Sequence, residues 1–302
     1  MKKHLIIIAG PTAVGKTKLS IELAKHYQTE IISADSRQFY KELSIGTAKP
    51  SLSEMEGIPH HFINNLSIHQ NYNVGDYERE VIEFLNQLFL KHPVIIACGG
   101  SGMFIDAICN GLDSFENVNE SIRKDIQQKY ELNGLAWLQE QVKTLDPLYY
   151  SQADINNPQR LSRALEVCTN TGKPYSSFRT GLKKQRWFVC IKIMLNLNRE
   201  KLYEKINLRV DDMIEAGLKE EVLELISYKN HNALNTVGYK EIIDFTEGKQ
   251  DWNKTLELIK QNTRRYAKRQ ITWFNKDKEY QHFEPQETEK IKLFIDQILH
   301  KK

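Results

Sequence analysis

With 302 residues, 40% of them hydrophobic and 27% charged, the chain can bury a large core in one or two domains. A formal charge of +3 is too small to mark a nucleic-acid binder by itself, and no apolar run approaches membrane-spanning length. Cys98, Cys109, Cys168 and Cys190 are scattered without a C-x-x-C pair, and no cleavable signal pattern precedes the first strand. A zinc site, a disulfide framework and secretion are therefore not expected, and a reducing cytoplasm is.

The first predicted strand is Leu5–Ala9, and the segment after it fits G-x-x-x-x-G-K-[ST] at every fixed position. Those residues are Gly10, Pro11, Thr12, Ala13, Val14, Gly15, Lys16 and Thr17, followed by a helix with Leu19, Leu23 and Ala24 on one face. Loop amides and the positive end of that helix favour anionic oxygens. Lys16 adds a mobile charge, and the Thr17 hydroxyl is a candidate ligand for Mg²⁺.

A second strand, Glu30–Ser33, runs into "ADSRQFY". Asp35 there has three open roles: Mg²⁺ holder, helix N-cap or general base. Arg37 and Gln38 on the same turn either face solvent or read a polar planar substrate. "PHHF" (59–62) lacks metal-ligand spacing, so His60 and His61 are expected as packed or capping histidines. Tyr72, Asp76 and Tyr77 carry no assignment. The third strand, Val94–Cys98, ends in "GGSG", where Ser101 has the only side-chain hydroxyl, one able to reach a leaving-group oxygen across from the phosphate loop. Three strands that each end in a polar or Gly-rich turn predict a doubly wound α/β core with its site at the carboxyl ends.

From residue 113 to 186 the pattern becomes helical and polar, and reads as an inserted subdomain between core segments 1–112 and 187–302. A fourth strand, Phe188–Leu195, leads to a long helical stretch broken near Gly217. The chain closes on a basic helix. Leu256, Ile259, Thr263, Tyr266, Gln270 and Trp273 give it a mostly apolar face, with Lys260, Arg264 and Lys268 stacked beside Arg265 and Arg269. Between Lys260 and Lys278 there are seven Lys or Arg and one Asp, interleaved with aromatic residues, a pattern suited to phosphate-backbone contact.

These features are compatible with a small-molecule or nucleotide kinase, with a transferase whose donor diphosphate is expelled from the phosphate loop, or with a nucleotide-operated switch. Convergence of Asp35 and Ser101 on the phosphate site disfavours the switch. The basic aromatic helix suits an enzyme acting on RNA better than a metabolite kinase.

Seven separated segments resemble one family, the tRNA dimethylallyltransferases. They are "GPTAVGKT", "ISADSRQFYKELSIGTAKP", "PHHFI", "GGSGMFIDAICNGL", "NNPQRLSRALEV", "VGYKE" and "TRRYAKRQITWF". The resemblance implies a P-loop NTPase-like, nucleotide-kinase-like parallel sheet with an inserted helical subdomain. The activity it implies is transfer of a dimethylallyl group from dimethylallyl diphosphate to N6 of adenine 37 in the tRNA anticodon loop. It further implies that Gly10–Thr17 and Arg209 hold the diphosphate, with Mg²⁺ on Thr17, and that Asp35 is the general base with Ser101 beside it. Asp35, Ser36, Arg37, Gln38, Ser101, Gln159, Arg160, Leu161, Ser162 and Arg163 then line the path of the adenine and its neighbours. Arg123 falls on the tRNA side of the insertion, and Arg264, Arg265, Lys268 and Arg269 complete the expected tRNA contacts. The family usually has Thr at the position of Ser101, so the hydroxyl survives without the methyl that fixes its rotamer. The zinc-finger extension of eukaryotic members is not seen. A monomeric, cytoplasmic, bacterial-type enzyme with no membrane partner is expected.

Overall fold

The computed structural model describes residues 2–113, 115 and 117–300; the outer limits of the expected domain ranges, 1 and 302, lie outside them. In chain order the elements begin β1 (His4–Ala9), α1 (Lys16–Tyr27), β2 (Ile31–Ser33), α2 (Leu52–Met55), β3 (His60–His61) and α3 (Val74–Lys91). They continue with β4 (Val94–Gly99), α4 (Gly102–Asn110), α5 (Glu120–Leu145), α6 (Pro147–Gln152), α7 (Pro158–Thr171) and β5 (Val189–Leu195). The last are α8 (Arg199–Glu215), α9 (Leu218–Glu224), α10 (Tyr239–Thr246), α11 (Trp252–Phe274), β6 (Gln281–Phe283) and α12 (Thr288–Leu299).

The six strands form one parallel sheet in the order β3-β2-β4-β1-β5-β6. β1 lies at its centre, paired Ile7↔Ala97 with β4 and Ile7↔Lys192 with β5. All six residues of β1 are buried, which is why it reads as an unbroken apolar run: both faces of a parallel strand are covered by helices. Leu5, Ile7 and Ala9 point into one apolar layer with α3, α4 and α10, while Ile6 and Ile8 point into the other with α1 and α12. Two short edge strands, β3 and β6, escaped the sequence reading. With two and three residues, they have too little alternation to be recognised.

Helix boundaries follow local chemistry. Asn73 and Asp76 form a reciprocal capping box at the start of α3. Asn157 caps α7, Pro158 opens it, and Gly172 (φ 68°) closes it. Gly217 (φ 98°) separates α8 from α9 at the expected break.

The chain divides into two compact units, residues 1–110 with 185–302, and Gly111–Lys184. The second unit has its own small core, in which Ile126, Leu138, Val142, Leu161 and Leu165 are buried. Gly134 (φ 72°, ψ −168°) interrupts α5 within it.

Candidate active site

The loop joining β1 to α1 is held by contacts that leave little freedom. Gly10 has φ 146°, and a Cβ there would lie 2.6 Å from the carbonyl oxygen of Leu195, so the turn lies directly against the end of β5. Ala13 takes a left-handed φ of 64°, uncommon for a residue with a side chain. α1 starts at Gly15 with no side-chain cap and no acidic residue in its first turn. Its N-terminal amides and dipole therefore remain available to an anion.

Two cations face this loop. The Lys16 ammonium donates to the carbonyls of Gly10 (3.0 Å) and Pro11 (2.7 Å). Burial lowers its pKa to about 8, a drop opposed by Cys98 and Asp35 and reinforced by Arg209. Arg209, on α8, donates from Nη1 to Thr12 Oγ1 at 3.3 Å. Burial pulls its pKa below the ordinary value as well, with Asp35 opposing. One carboxylate thus serves two desolvated cations.

Asp35 sits in the turn after β2. Its Oδ1 accepts the Arg37 amide at 3.0 Å, and the Gln38 amide donates to its carbonyl at 3.2 Å. The turn rests on the one after β4: a Cβ on Gly99 would lie 2.2 Å from the Ala34 oxygen, and Ser101 N donates to that oxygen at 3.3 Å. Ser101 Oγ accepts the Ser36 amide at 3.1 Å and lies 3.3 Å from Ser36 Oγ. It braces the Asp35 turn and is half-buried there, with the Tyr266 side chain reaching it as well.

Arg37 and Gln38 are also committed to the fold. Arg37 donates to the carbonyls of Asn232 (2.9 Å) and Asn235 (3.3 Å). Gln38 Nε2 donates to Thr47 O and Ala48 O, both at 3.3 Å, while its Oε1 accepts from Ser33 Oγ. These contacts order the wall formed by residues 44–50. Glu221 finishes the task by accepting the amides of Ser44 (3.1 Å), Ile45 (2.7 Å) and Gly46 (3.1 Å) and the Tyr239 hydroxyl.

A cavity of about 1110 Å³ opens over these turns. Thr12, Ala13, Gly15, Lys16, Thr17 and Arg209 line it, as do Asp35, Ser36, Arg37, Gln38, Tyr266 and Arg269. Gly10, Pro11 and Val14 do not. Val14 is a core residue under the loop, and Gly10 and Pro11 contribute carbonyls to Lys16. Among the described residues no group of three or more His, Cys, Asp or Glu could hold a metal ion. Thr17 and Asp35 are nevertheless hard oxygen donors on the wall. That pair suits a Mg²⁺ ion drawing most of its ligands from phosphate and water.

The basic stripe of α11 divides in two. Lys260 pairs with Asp211 at 2.6 Å, and Arg264 donates to Asn207 Oδ1 at 2.6 Å and lies over the Tyr203 ring. Both are tied to α8 and half-buried. Arg265, Lys268 and Arg269 are exposed. In the second unit, Gln159 and Arg160 are exposed near the start of α7. Arg123 (3.6 Å) and Arg163 (3.3 Å) share Glu166, and Arg163 stands over the Phe115 ring. Ser162 is half-buried, and Leu161 is fully buried in that unit's core, so its side chain is removed from the expected RNA contacts.

Gln270, Glu221 and Tyr239 were not among the expected site residues. Gln270 had a signal, a carboxamide on an otherwise apolar helix face. Glu221 had none, being one of several acids on a short helix.

The family model described as IPP transferase matches residues 38–277. The tRNA dimethylallyltransferase of Christiangramia forsetii is 53% identical over 290 residues, covering 96% of each chain. The crystal structure of the full-length tRNA isopentenylpyrophosphate transferase from Bacillus halodurans superposes with a TM-score of 0.73 at 31% identity, covering 98% of this chain and 96% of that one. A eukaryotic dimethylallyltransferase, solved in snapshots of its action on tRNA, gives 0.78 at 29% identity, over 90% of this chain and 69% of that one. Similarity of this extent, on a parallel sheet whose phosphate loop, acid turn and basic helix share one cavity, means that the chain belongs to the IPP transferase family of tRNA dimethylallyltransferases and is a prenyltransferase.

Proposed function

We propose that this enzyme transfers the dimethylallyl group of dimethylallyl diphosphate to N6 of adenine 37 in the tRNA anticodon loop, releasing diphosphate. The observation that carries this is the shared wall: Lys16, Thr17 and Arg209 face the same cavity as the Asp35 carboxylate. Cations stand at one end for a leaving anion, and a base stands near them for an amine.

The allylic C1–O bond breaks with its electron pair going to the diphosphate, and the N6 lone pair forms the new C–N bond. Charge collects on oxygens that face Lys16, Arg209 and the amides at the start of α1, so these contacts strengthen as the bond breaks. Attack makes the N6 proton acidic, and Asp35 Oδ2 accepts it, because Oδ1 already takes the Arg37 amide. Thr17 would hold Mg²⁺, which when bound adds positive charge at the diphosphate oxygens.

The adenine must leave its stack to reach Asp35, at a cost of a few kcal/mol. Backbone contacts from exposed Arg265, Lys268 and Arg269, and from Gln159 and Arg160 in the second unit, offset that cost. The enzyme acts as a monomer in the cytoplasm. No described helix is long and apolar enough to cross a membrane.

The test is to incubate the protein with unmodified tRNA, labelled dimethylallyl diphosphate and Mg²⁺ and to weigh the nucleosides. A C5H8 gain on adenosine at position 37 is expected. No label in tRNA, with phosphoryl transfer from ATP to a nucleoside panel instead, would replace this function with a kinase. Asp35→Asn should lower turnover about 10²–10⁴-fold while tRNA affinity stays within about twofold. Equal loss of both would remove Asp35 as the base.

A further inference from the structure

Gln270 is a buried polar side chain through which the basic helix meets both the phosphate loop and the turn after β4. Its Oε1 accepts the Thr12 amide at 2.9 Å, and its Nε2 donates to the Gly100 carbonyl at 2.9 Å. The residue is 5% exposed. A carboxamide alone among side chains of this length offers an acceptor and a donor side by side. An apolar replacement would leave a Thr12 donor and a Gly100 acceptor unpaired in a desolvated place.

The connection continues on the other side of Thr12, whose hydroxyl accepts from Arg209 Nη1 at 3.3 Å. Gly100, Gln270, Thr12 and Arg209 therefore form a single chain of hydrogen bonds. It begins in the turn after β4, crosses α11 and the phosphate loop, and ends on a cavity-facing cation. The Thr12 amide is engaged by Gln270, which like Thr12 lines the cavity, so the Thr12 hydroxyl and the arginine it holds are its remaining link to an anion there. Gly100 fits this chain for a separate reason: a Cβ there would lie 2.2 Å from Gln270 Nε2. Its φ is not in the left-handed region, so only the close approach forbids a side chain.

We propose that Gln270 is a positioning residue for the donor's diphosphate, fixing Thr12 and through it the guanidinium of Arg209. This rests on the diphosphate occupying the Lys16 loop. A side chain that merely seats α11 would affect melting and every ligand alike, whereas a positioning role is specific to the anion and depends on Arg209.

The experiment is calorimetric titration of inorganic pyrophosphate, with Mg²⁺, into wild type, Gln270→Met, Gly100→Ala, Arg209→Ala and the double variant Gln270→Met/Arg209→Ala. Melting and binding of an unmodified anticodon stem-loop are measured in parallel. Pyrophosphate affinity should fall about tenfold in Gln270→Met and in Gly100→Ala, with stem-loop affinity within about twofold of wild type. In the Arg209→Ala background Gln270→Met should add less than about twofold. Wild-type pyrophosphate affinity in folded Gln270→Met, or in Gly100→Ala should Gln270→Met not fold, overturns the proposal, and so does a full tenfold loss persisting without Arg209. Absence of pyrophosphate binding by wild type would instead overturn the diphosphate assignment itself.

Discussion

A lysine ammonium folded back onto two backbone carbonyls and deprived of water is a titratable group near neutral pH, and Lys16 is in that position. Its pKa is lowered to about 8, so in the unliganded protein it is charged below that pH and increasingly neutral above it. An anion in the loop favours the charged form. Binding of dimethylallyl diphosphate should therefore vary little with the ionisation of Lys16 well below pH 8 and weaken up to about tenfold per pH unit above it, with proton uptake approaching one. Calorimetry at pH 7 and pH 9 in buffers of different ionisation enthalpy measures that uptake. Lys16→Met should abolish it, and persistent uptake in that variant would assign the proton elsewhere. At this scale the placement of several residues was legible: the loop motif pointed to Lys16 and Thr17 and position after a strand pointed to Asp35, and all three line the cavity, while the role of Asp35 was left open by position alone. What Ser101, Arg37 and Gln38 do was not legible. Each has a polar end that suits a substrate equally well, and only the neighbouring amides and carbonyls show it is already engaged.

The helix α11 shows what periodicity can and cannot say about an element. Spacing of apolar residues gave a face of which Ile259 and Gln270 are buried and Leu256, Thr263 and Tyr266 half-buried, but Trp273 on it is exposed and the buried Ala267 and Phe274 lie outside it. Charge spacing gave a stripe of cations but not which of them are spent, since Asp211 and Asn207 lie on α8, about fifty residues away in sequence. Replacing Lys268 and Arg269 together by Ala should weaken tRNA binding and reduce the slope of log K against log salt by about 1–2. Lys260→Met should leave the slope unchanged and cost at most about 1 kcal/mol of stability, because its pair with Asp211 is partly exposed and screened. Filter binding across a salt series reads both. An equal change in slope for Lys260→Met would put that residue on the RNA as well.

On the scale of the whole molecule, the two ends of the helical unit Gly111–Lys184 lie together, since a Cβ on Gly111 would lie 2.4 Å from Lys184 Cδ. The two core segments are likewise tied to each other by Arg186, which donates to Ile108 O and to Glu78. A short Gly-Ser linker replacing residues 112–183 should therefore leave a core that unfolds cooperatively and binds pyrophosphate within about threefold of wild type. Its affinity for the anticodon stem-loop should fall by about tenfold or more. Unchanged stem-loop binding would relieve the insertion of its RNA role.

The sequence alone determined the properties that a short stretch of chain decides for itself. Buried strands announce themselves as apolar runs, helices by their caps and glycines, and the phosphate cradle by a motif whose geometry is local. Tertiary structure decided what depends on partners distant along the chain. Gln270 reaches Thr12 across 258 positions, Glu221 gathers the amides of residues 44–46, and β3 and β6 exist because longer strands offer them an edge. A polar side chain carries no mark of whether it is engaged or free, because that depends on which donor or acceptor folding brings within about 3 Å of it.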